Sequence, residues 1–248
     1  PPRVADLWGR AVKLYSGMRS DAQFEPWFTH FAPQNRAPEP GESFRSPDIA
    51  ATLKRIPETK GEAFYRGEIA EKIAAFFAAN GGLLTADDLA AWRPGWVEPL
   101  SVNYRGYDVW EMPPNGHGIT VLMALKTLSG MQLGAPLTAE TMHQQIEAMK
   151  LAMSDTAEHV TEPSAMRVTT DELLSDAYAA KRRALIGEQA LLPKAGDPRG
   201  SSTVYFCTAD RDGMMVSFIQ SNYRGFGSGI VIPGTGISMN DRMENFRF

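Results

Sequence analysis

Cysteine is nearly missing: Cys207 is the only one in 248 residues, so no internal disulfide framework can staple the fold. Histidine is scarce as well. His30, His117, His143 and His159 lie far apart without metal-ligand spacing, and neither a metal nor a cofactor is expected. An excess of basic charge is also lacking. The formal charge is −4, which argues against the basic face that a nucleic-acid partner requires. No apolar run reaches the roughly 18 residues of a membrane span, and the opening PPRVADLWGRAVK contains no signal-peptide core. The expectation is a soluble chain of the cytoplasm or the periplasm.

Apolar residues make up 43% of the chain, enough for one sizeable domain or two small ones. Residues 20–62, with APQNRAPEPGESFRSPDIA among them, read as irregular surface loop because Pro, Gly and Ser punctuate them. In GEIAEKIAAFFAANGG the residues Ile69, Ile73, Phe76 and Phe77 share one helical face, and Asn80-Gly81-Gly82 supplies the stop. Thr85 caps the short helix that follows. LSVNYRGYDVWEM predicts two strands bent at Arg105-Gly106. GITVLMALKTLSG predicts an apolar helix ending near Gly130. TAETMHQQIEAMKLAMSD predicts another, with Met142, Ile146, Met149 and Met153 as its core stripe. TTDELLSDAYAAKRRALIG carries a Thr169–Glu172 capping box and an apolar row of Leu174, Tyr178 and Leu185.

After Gly187 the character changes. LLPKAGDPRGSS leads into TVYFCTAD and MMVSFIQS, two β-rich runs around an Asp-Arg-Asp-Gly turn that predict a hairpin. A helical body followed by a β-rich tail predicts an α+β fold. Cys207, on the Thr203 side of its strand by period two, is expected to be buried.

Thr203 opens that strand, and as a plain hydroxyl it is a poor nucleophile near neutral pH. Were the bond before it cut, the freed α-amine, with an ordinary pKa of about 7.7–8.0, would stand beside the hydroxyl as a general base. No G-x-S-x-G elbow offers a different nucleophile. Gly225, Gly227 and Gly229 fit tight backbone turns; GFGSG has neither the lysine nor the setting of a phosphate loop.

The blocks FYRGEIAEKIAAFF…GGLLTADDLAAW, PLSVNYRGYDVWEMPPNGHGI, HQQIEAMKLAMSD and DRDGMMVSFIQSNYRGFGSGIVIPGTGI together resemble the γ-glutamyltransferase (glutathione hydrolase) family, in the family's order and over nearly the whole chain. The resemblance implies an αββα four-layer N-terminal-nucleophile hydrolase sandwich, of which this chain covers the central portion. It implies a zymogen that cleaves itself between Ser202 and Thr203, with Ser201 and Ser202 disfavoured as nucleophiles by the register from the Asp210–Gly213 turn. Residues 1–202 would then be the C-terminal part of the large, mostly helical subunit region, and 203–248 the start of the small β-rich one.

Catalysis would fall to Thr203, supported by Ser221 across the hairpin. Asn222, Tyr223, Arg242, Glu244 and Asn245 would bind substrate, and His117 would be structural. Partners would be a γ-glutamyl or related amide, water or an amine acceptor, and the chain's own subunits after cleavage. Where the family carries an acidic residue for the substrate α-ammonium, this chain has Asn245, with Glu244 adjacent and Arg242 nearby. A charge-assisted hydrogen bond is about twice as strong as a neutral one, so this change weakens ammonium recognition. An acylase for another acidic acyl group, glutaryl-like, is the alternative, and a non-catalytic, incomplete family member is another. The family extends further at both ends, where an arginine for the substrate carboxylate and the donors of the oxyanion hole are expected.

Overall fold

Prolines start the first three helices of this chain. This computed structural model describes residues 1–192 and 203–245; Ser202 lies outside them. Helix α1 spans Pro2–Tyr15, α2 Glu25–Phe31 and α3 Pro47–Glu58, and each has a proline in its first two positions. There the missing N–H costs nothing and the fixed φ fits the helix. Ser46 accepts from the Ile49 N–H and completes the start of α3. Residues 20–62 are therefore not an irregular surface loop. They contain α2, α3 and Trp27, which is 0% exposed.

The described chain divides into two compact units, one formed by residues 1–93 with the segment from Thr203 onward, the other by the chain after Arg93 up to Leu192. In the first, α4 (Glu62–Tyr65), α5 (Glu68–Ala79) and α6 (Ala86–Ala91) complete the helices. Gly81 at φ 72 lets the Gly82 N–H reach back to Phe77 O at 2.8 Å, closing α5 as expected. Thr85 and Asp88 form a capping box at α6.

Two apolar clusters fill this unit. Tyr15, Trp27, Phe28, Ala32 and Val231 make one; Ala63, Ile69, Ile73 and Ile232 make the other. Val231 and Ile232 are successive residues of the short strand β5, paired with β6 (Ile237–Ser238). Because neighbouring strand residues point to opposite faces, one dipeptide serves both cores. Fully burying a side chain such as Ile73 or Ile232 stabilises by roughly 1.5–3 kcal/mol.

In the second unit, β1 (Leu100–Tyr104) and β2 (Tyr107–Glu111) pair antiparallel. Arg105 at φ 54 and Gly106 at φ 92 provide the two positive φ values of a primed hairpin turn. Helix α7 (Gly118–Ser129) is the centre, with Ile119, Leu122, Met123 and Ala124 buried. The long helix α8 (Ala139–His159) packs on it through Ala148, Leu151 and Ala152, and Thr120 and Thr156 hydroxyls meet at 2.7 Å.

The Met142, Ile146, Met149 and Met153 stripe is exposed, contrary to the expectation of a core stripe. Both rows have helical period. The small alanines of the other row let α7 approach closely, so that row is the one inside. The helix expected over TTDELLSDAYAAKRRALIG breaks in two, α9 (Thr170–Leu173) and α10 (Asp176–Arg183). Ser175 starts the second piece, accepting from the Tyr178 N–H. Leu173 and Ala179 are the buried residues, and Leu185 of the expected apolar row is exposed.

Strands β3 (Thr203–Ala209) and β4 (Met215–Ser221) form the expected hairpin. Asp210 Oδ1 accepts from the Asp212 and Met214 N–H groups, and Gly213 takes φ 84, which fixes the turn. Val204, Tyr205, Phe206, Val216, Phe218 and Ile219 are all exposed. Cys207 is exposed too, correcting its expected burial. Alternation chooses a face of the strand, but only a second layer can bury it, and the described residues place none there. Helix and strand are thus mixed as expected, with the described strands forming three two-stranded antiparallel sheets.

Candidate active site

The turn that fixes the hairpin also fixes which residues meet at its open end. Counting outward from Ala209↔Met215, the ladder ends with Thr203 directly opposite Ser221.

Beyond Ser221 the chain turns sharply. Ser221 Oγ accepts from the Tyr223 N–H at 2.9 Å, and Tyr223 adopts φ 79, which a non-glycine residue rarely does. The Asp241 N–H donates to Asn222 O at 3.1 Å, and Asp241 Oδ1 accepts from the Arg224 N–H at 3.0 Å. These bonds hang the 3-10 turn Arg242–Asn245 beside residues 222–224. Glu244 forms an ion pair with Arg224, Nη1 to Oε1 at 2.7 Å. The Arg224 and Arg242 guanidinium carbons lie 5.5 and 5.7 Å from the Tyr223 ring centroid, cation–π distance for both. Ser221, Asn222, Tyr223, Arg242 and Glu244 are therefore neighbours, with the Thr203 backbone across the ladder, and Asn245 follows Glu244 as the last residue of the turn. The other half of the expected cleavage bond, Ser202, is outside the described residues.

The glycine segment braces this corner. Gly225, Gly227 and Gly229 have φ of 45, 78 and 81, and a Cβ on Gly227 would sit 2.1 Å from Met239 O. The Tyr15 hydroxyl donates to Gly227 O at 2.7 Å, and the Thr52 hydroxyl to Thr235 O at 2.8 Å. Burial first, and then the Asp241 carboxylate, raise the Tyr15 hydroxyl above its ordinary pKa, so it remains a donor. Sequence reasoning missed Tyr15, Arg224 and Asp241. The last two lie inside SNYRGFGSG and MNDRMENF, where a charge of each sign beside the expected binding residues was the available signal. Tyr15 left none, being 212 positions from its partner.

His117 holds the N-cap position of α7 with its side chain exposed. Among the described residues no group of three or more His, Cys, Asp or Glu could hold a metal ion, and no helix is long and apolar enough to cross a membrane.

Comparison with known proteins gives this corner its context. The chain is 36% identical over 218 residues to a glutathione hydrolase-like proenzyme of Bacillus subtilis, covering 87% of this chain and 41% of the relative. It is 34% identical over 246 residues to the oxamate amidohydrolase proenzyme of Klebsiella pneumoniae, covering 99% and 46%. Among solved structures, cephalosporin acylase from Bacillus halodurans superposes with a TM-score of 0.92 at 54% identity, over 99% of this chain and 45% of that one. The chain thus spans a little under half the length of these relatives. The hairpin, the glycine segment and the helices before them all lie within residues 2–248, which match the family model described as gamma-glutamyltranspeptidase, and to that family this chain belongs.

Proposed function

We propose that this chain is the central part of a self-cleaving γ-glutamyl amide hydrolase or acyltransferase that uses Thr203 as its N-terminal nucleophile. Within the full-length protein the hairpin would be a piece of an αββα four-layer sandwich. Residues up to Ser202 would belong to the large subunit and those from Thr203 onward to the small one. The observation that carries this reading is the pairing of Thr203 with Ser221 at the open end of a hairpin, in a chain whose relatives are named as proenzymes.

The Thr203 hydroxyl oxygen attacks the Ser202 carbonyl carbon. The C–N bond breaks, the nitrogen gains the hydroxyl proton, and the resulting ester is opened by water. That leaves a Ser202 carboxylate and a Thr203 α-amine. In turnover the amine takes the hydroxyl proton as the oxygen attacks the substrate amide carbon, and the proton passes to the leaving amine. Water or an acceptor amine then releases the acyl group. Ser221 orients the hydroxyl and amine of Thr203, while Asn222, Tyr223, Arg242, Glu244 and Asn245 hold the substrate.

The Arg224–Glu244 pair favours a second reading of the acyl group. A carboxylate already engaged by a guanidinium at 2.7 Å is a poor anchor for a substrate α-ammonium, and exposed Arg242 attracts a carboxylate. An acidic acyl group without the ammonium, glutaryl-like, fits that charge pattern. Relatives named as an oxamate amidohydrolase and a cephalosporin acylase are in keeping with varied acyl groups.

Intact-mass measurement of the full-length protein tests the first claim. Two fragments dividing at Ser202–Thr203 are expected, and a single uncut chain in Thr203→Ala. A wild-type chain that stays whole yet turns over amides would remove Thr203 from the mechanism. Comparing a γ-glutamyl anilide with a glutaryl anilide decides the acyl group, since exclusive turnover of the second compound rules out γ-glutamyl specificity.

A further inference from the structure

Two acids stand at the corner that receives the chain after Ser221, and Arg224 engages both. Asp241 is turned to the main chain, its Oδ1 accepting from the Arg224 N–H at 3.0 Å. Glu244 is more open, with 46% of its side chain exposed, yet its Oε1 is held by Arg224 Nη1 at 2.7 Å. The Arg224 side chain is 27% exposed, and its Nε is buried with no hydrogen-bond partner among the described residues. Taking part of a cation out of water has a desolvation cost, which the Glu244 carboxylate offsets. Glu244 can therefore turn to a ligand only by leaving that cation uncompensated. Arg242 is the other cation of the corner. It is exposed, with its guanidinium carbon 5.7 Å from the Tyr223 ring centroid. Ser221 Oγ, accepting from the Tyr223 N–H, ties the cluster to the residue paired with Thr203.

We propose that Arg224 is a positioning residue that sets the charge class of the acyl group. By holding Glu244 it withholds a carboxylate from a substrate ammonium, and the acyl group favoured carries a carboxylate but no ammonium. This rests on the reading that residues 221–224 and 242–245 hold the acyl group of an amide cleaved by Thr203. Two effects of Arg224 act with the same sign. An ammonium competing for Glu244 must break the existing pair, and a half-exposed pair is worth up to about fivefold in affinity. The guanidinium also repels the ammonium, and two unit charges about 4 Å apart in water add a similar factor. Together they disfavour an ammonium-bearing acyl group by about tenfold or more. Asp241 attracts the ammonium whatever stands at position 224, so its effect cancels when variants there are compared.

The test uses the full-length protein after maturation, confirmed by intact mass. It reads the ratio of kcat/KM for a γ-glutamyl anilide to that for a glutaryl anilide. Both compounds are measured on one preparation, so a loss of folded or matured enzyme leaves the ratio unmoved. In Arg224→Met, which keeps an apolar stem beside the Tyr223 ring, the ratio is expected to rise about tenfold. Arg224→Lys retains a cation opposite Glu244 and should stay within about threefold of wild type. Adding Glu244→Gln to Arg224→Met should bring the ratio back to within about threefold, because no carboxylate is then released. Arg224→Gln, uncharged but still a hydrogen-bond donor, carries the same expectation should Arg224→Met not mature. An unchanged ratio in the uncharged variants, or a rise that persists without Glu244, would overturn the role of Arg224 alone. A wild-type protein that stays whole and inert toward both anilides would overturn the reading of Thr203 and this inference with it.

Discussion

Glycine at 227 is required twice over, by its positive φ of 78 and by the Met239 carbonyl that a Cβ would meet at 2.1 Å. Gly225 faces only the first demand, at φ 45 with no atom nearer than 3.9 Å to its would-be Cβ. Gly225→Ala should therefore cost about 1–2 kcal/mol, the usual penalty of the left-handed conformation. Gly227→Ala should cost more, about 3 kcal/mol or above, because the backbone at Met239 must also shift. Thermal unfolding of the two variants checks this. Equal losses would mean that the glycine segment relaxes freely. Gly227→Ala should also impair activity beyond its effect on stability, since the Tyr15 hydroxyl reads the position of Gly227 O. The three positive-φ glycines were legible from GFGSG as turn-formers. That Gly227 answers to Met239 was not, because the contact joins two loops through the fold.

Helices in this protein are set by their ends, and α10 illustrates the point. It is short and polar, and it holds Arg182 against Asp155 at 2.9 Å and Arg183 Nε against Thr127 O at 2.9 Å. Its start depends on Ser175, whose hydroxyl satisfies the Tyr178 N–H. Ser175→Ala should cost about 1 kcal/mol, and Ser175→Gly only a few tenths. A fall in Tm of about 2–4 °C for alanine, with glycine close to wild type, is the expected pattern. Identical losses for both would take the cap out of the account. The Thr169 capping box was readable because its glutamate lies three residues on. Ser175 was hidden inside what looked like one continuous helix. In β3–β4 the turn chemistry marked the hairpin, yet not the exposure of Cys207, which depends on what covers the sheet.

At the scale of a whole compact unit, two buried carboxylates of α8 pull stability in opposite directions with pH. Burial raises the Glu147 carboxyl, but the Lys150 ammonium and the Leu191 N–H outweigh it and hold the group below its usual 4.5. Its stabilisation is present above that value and lost as pH falls through the folded pKa. Burial keeps Asp155 above its usual 3.8 despite Arg182, the Tyr178 hydroxyl and His159. Its contribution is complete below 3.8 and lost as pH rises through the raised folded value. In Tm measured from about pH 3 to 7, Glu147→Gln should flatten the acid-side fall, and Asp155→Asn should remove a decline on the rising side. Curves that simply run parallel to wild type would dismiss both assignments. The exposed apolar stripe of α8 belongs to this scale too: periodicity offered two rows, and packing against α7 selected the one of small residues.

By itself the sequence determined what is settled within a few residues of the chain: the Thr85 and Thr169 caps, the glycine stop after Ala79, and the Arg105-Gly106 and Asp210–Gly213 turns. Hydrogen bonds of this kind close over three to five positions, so their signals are local. Only the tertiary structure decided which apolar rows are buried, that Trp27 in a proline-studded stretch is core, that Glu244 is held by Arg224, and that Glu147 grips Leu191. Burial and ion pairing depend on surfaces contributed from distant positions, and no window of neighbouring residues contains them.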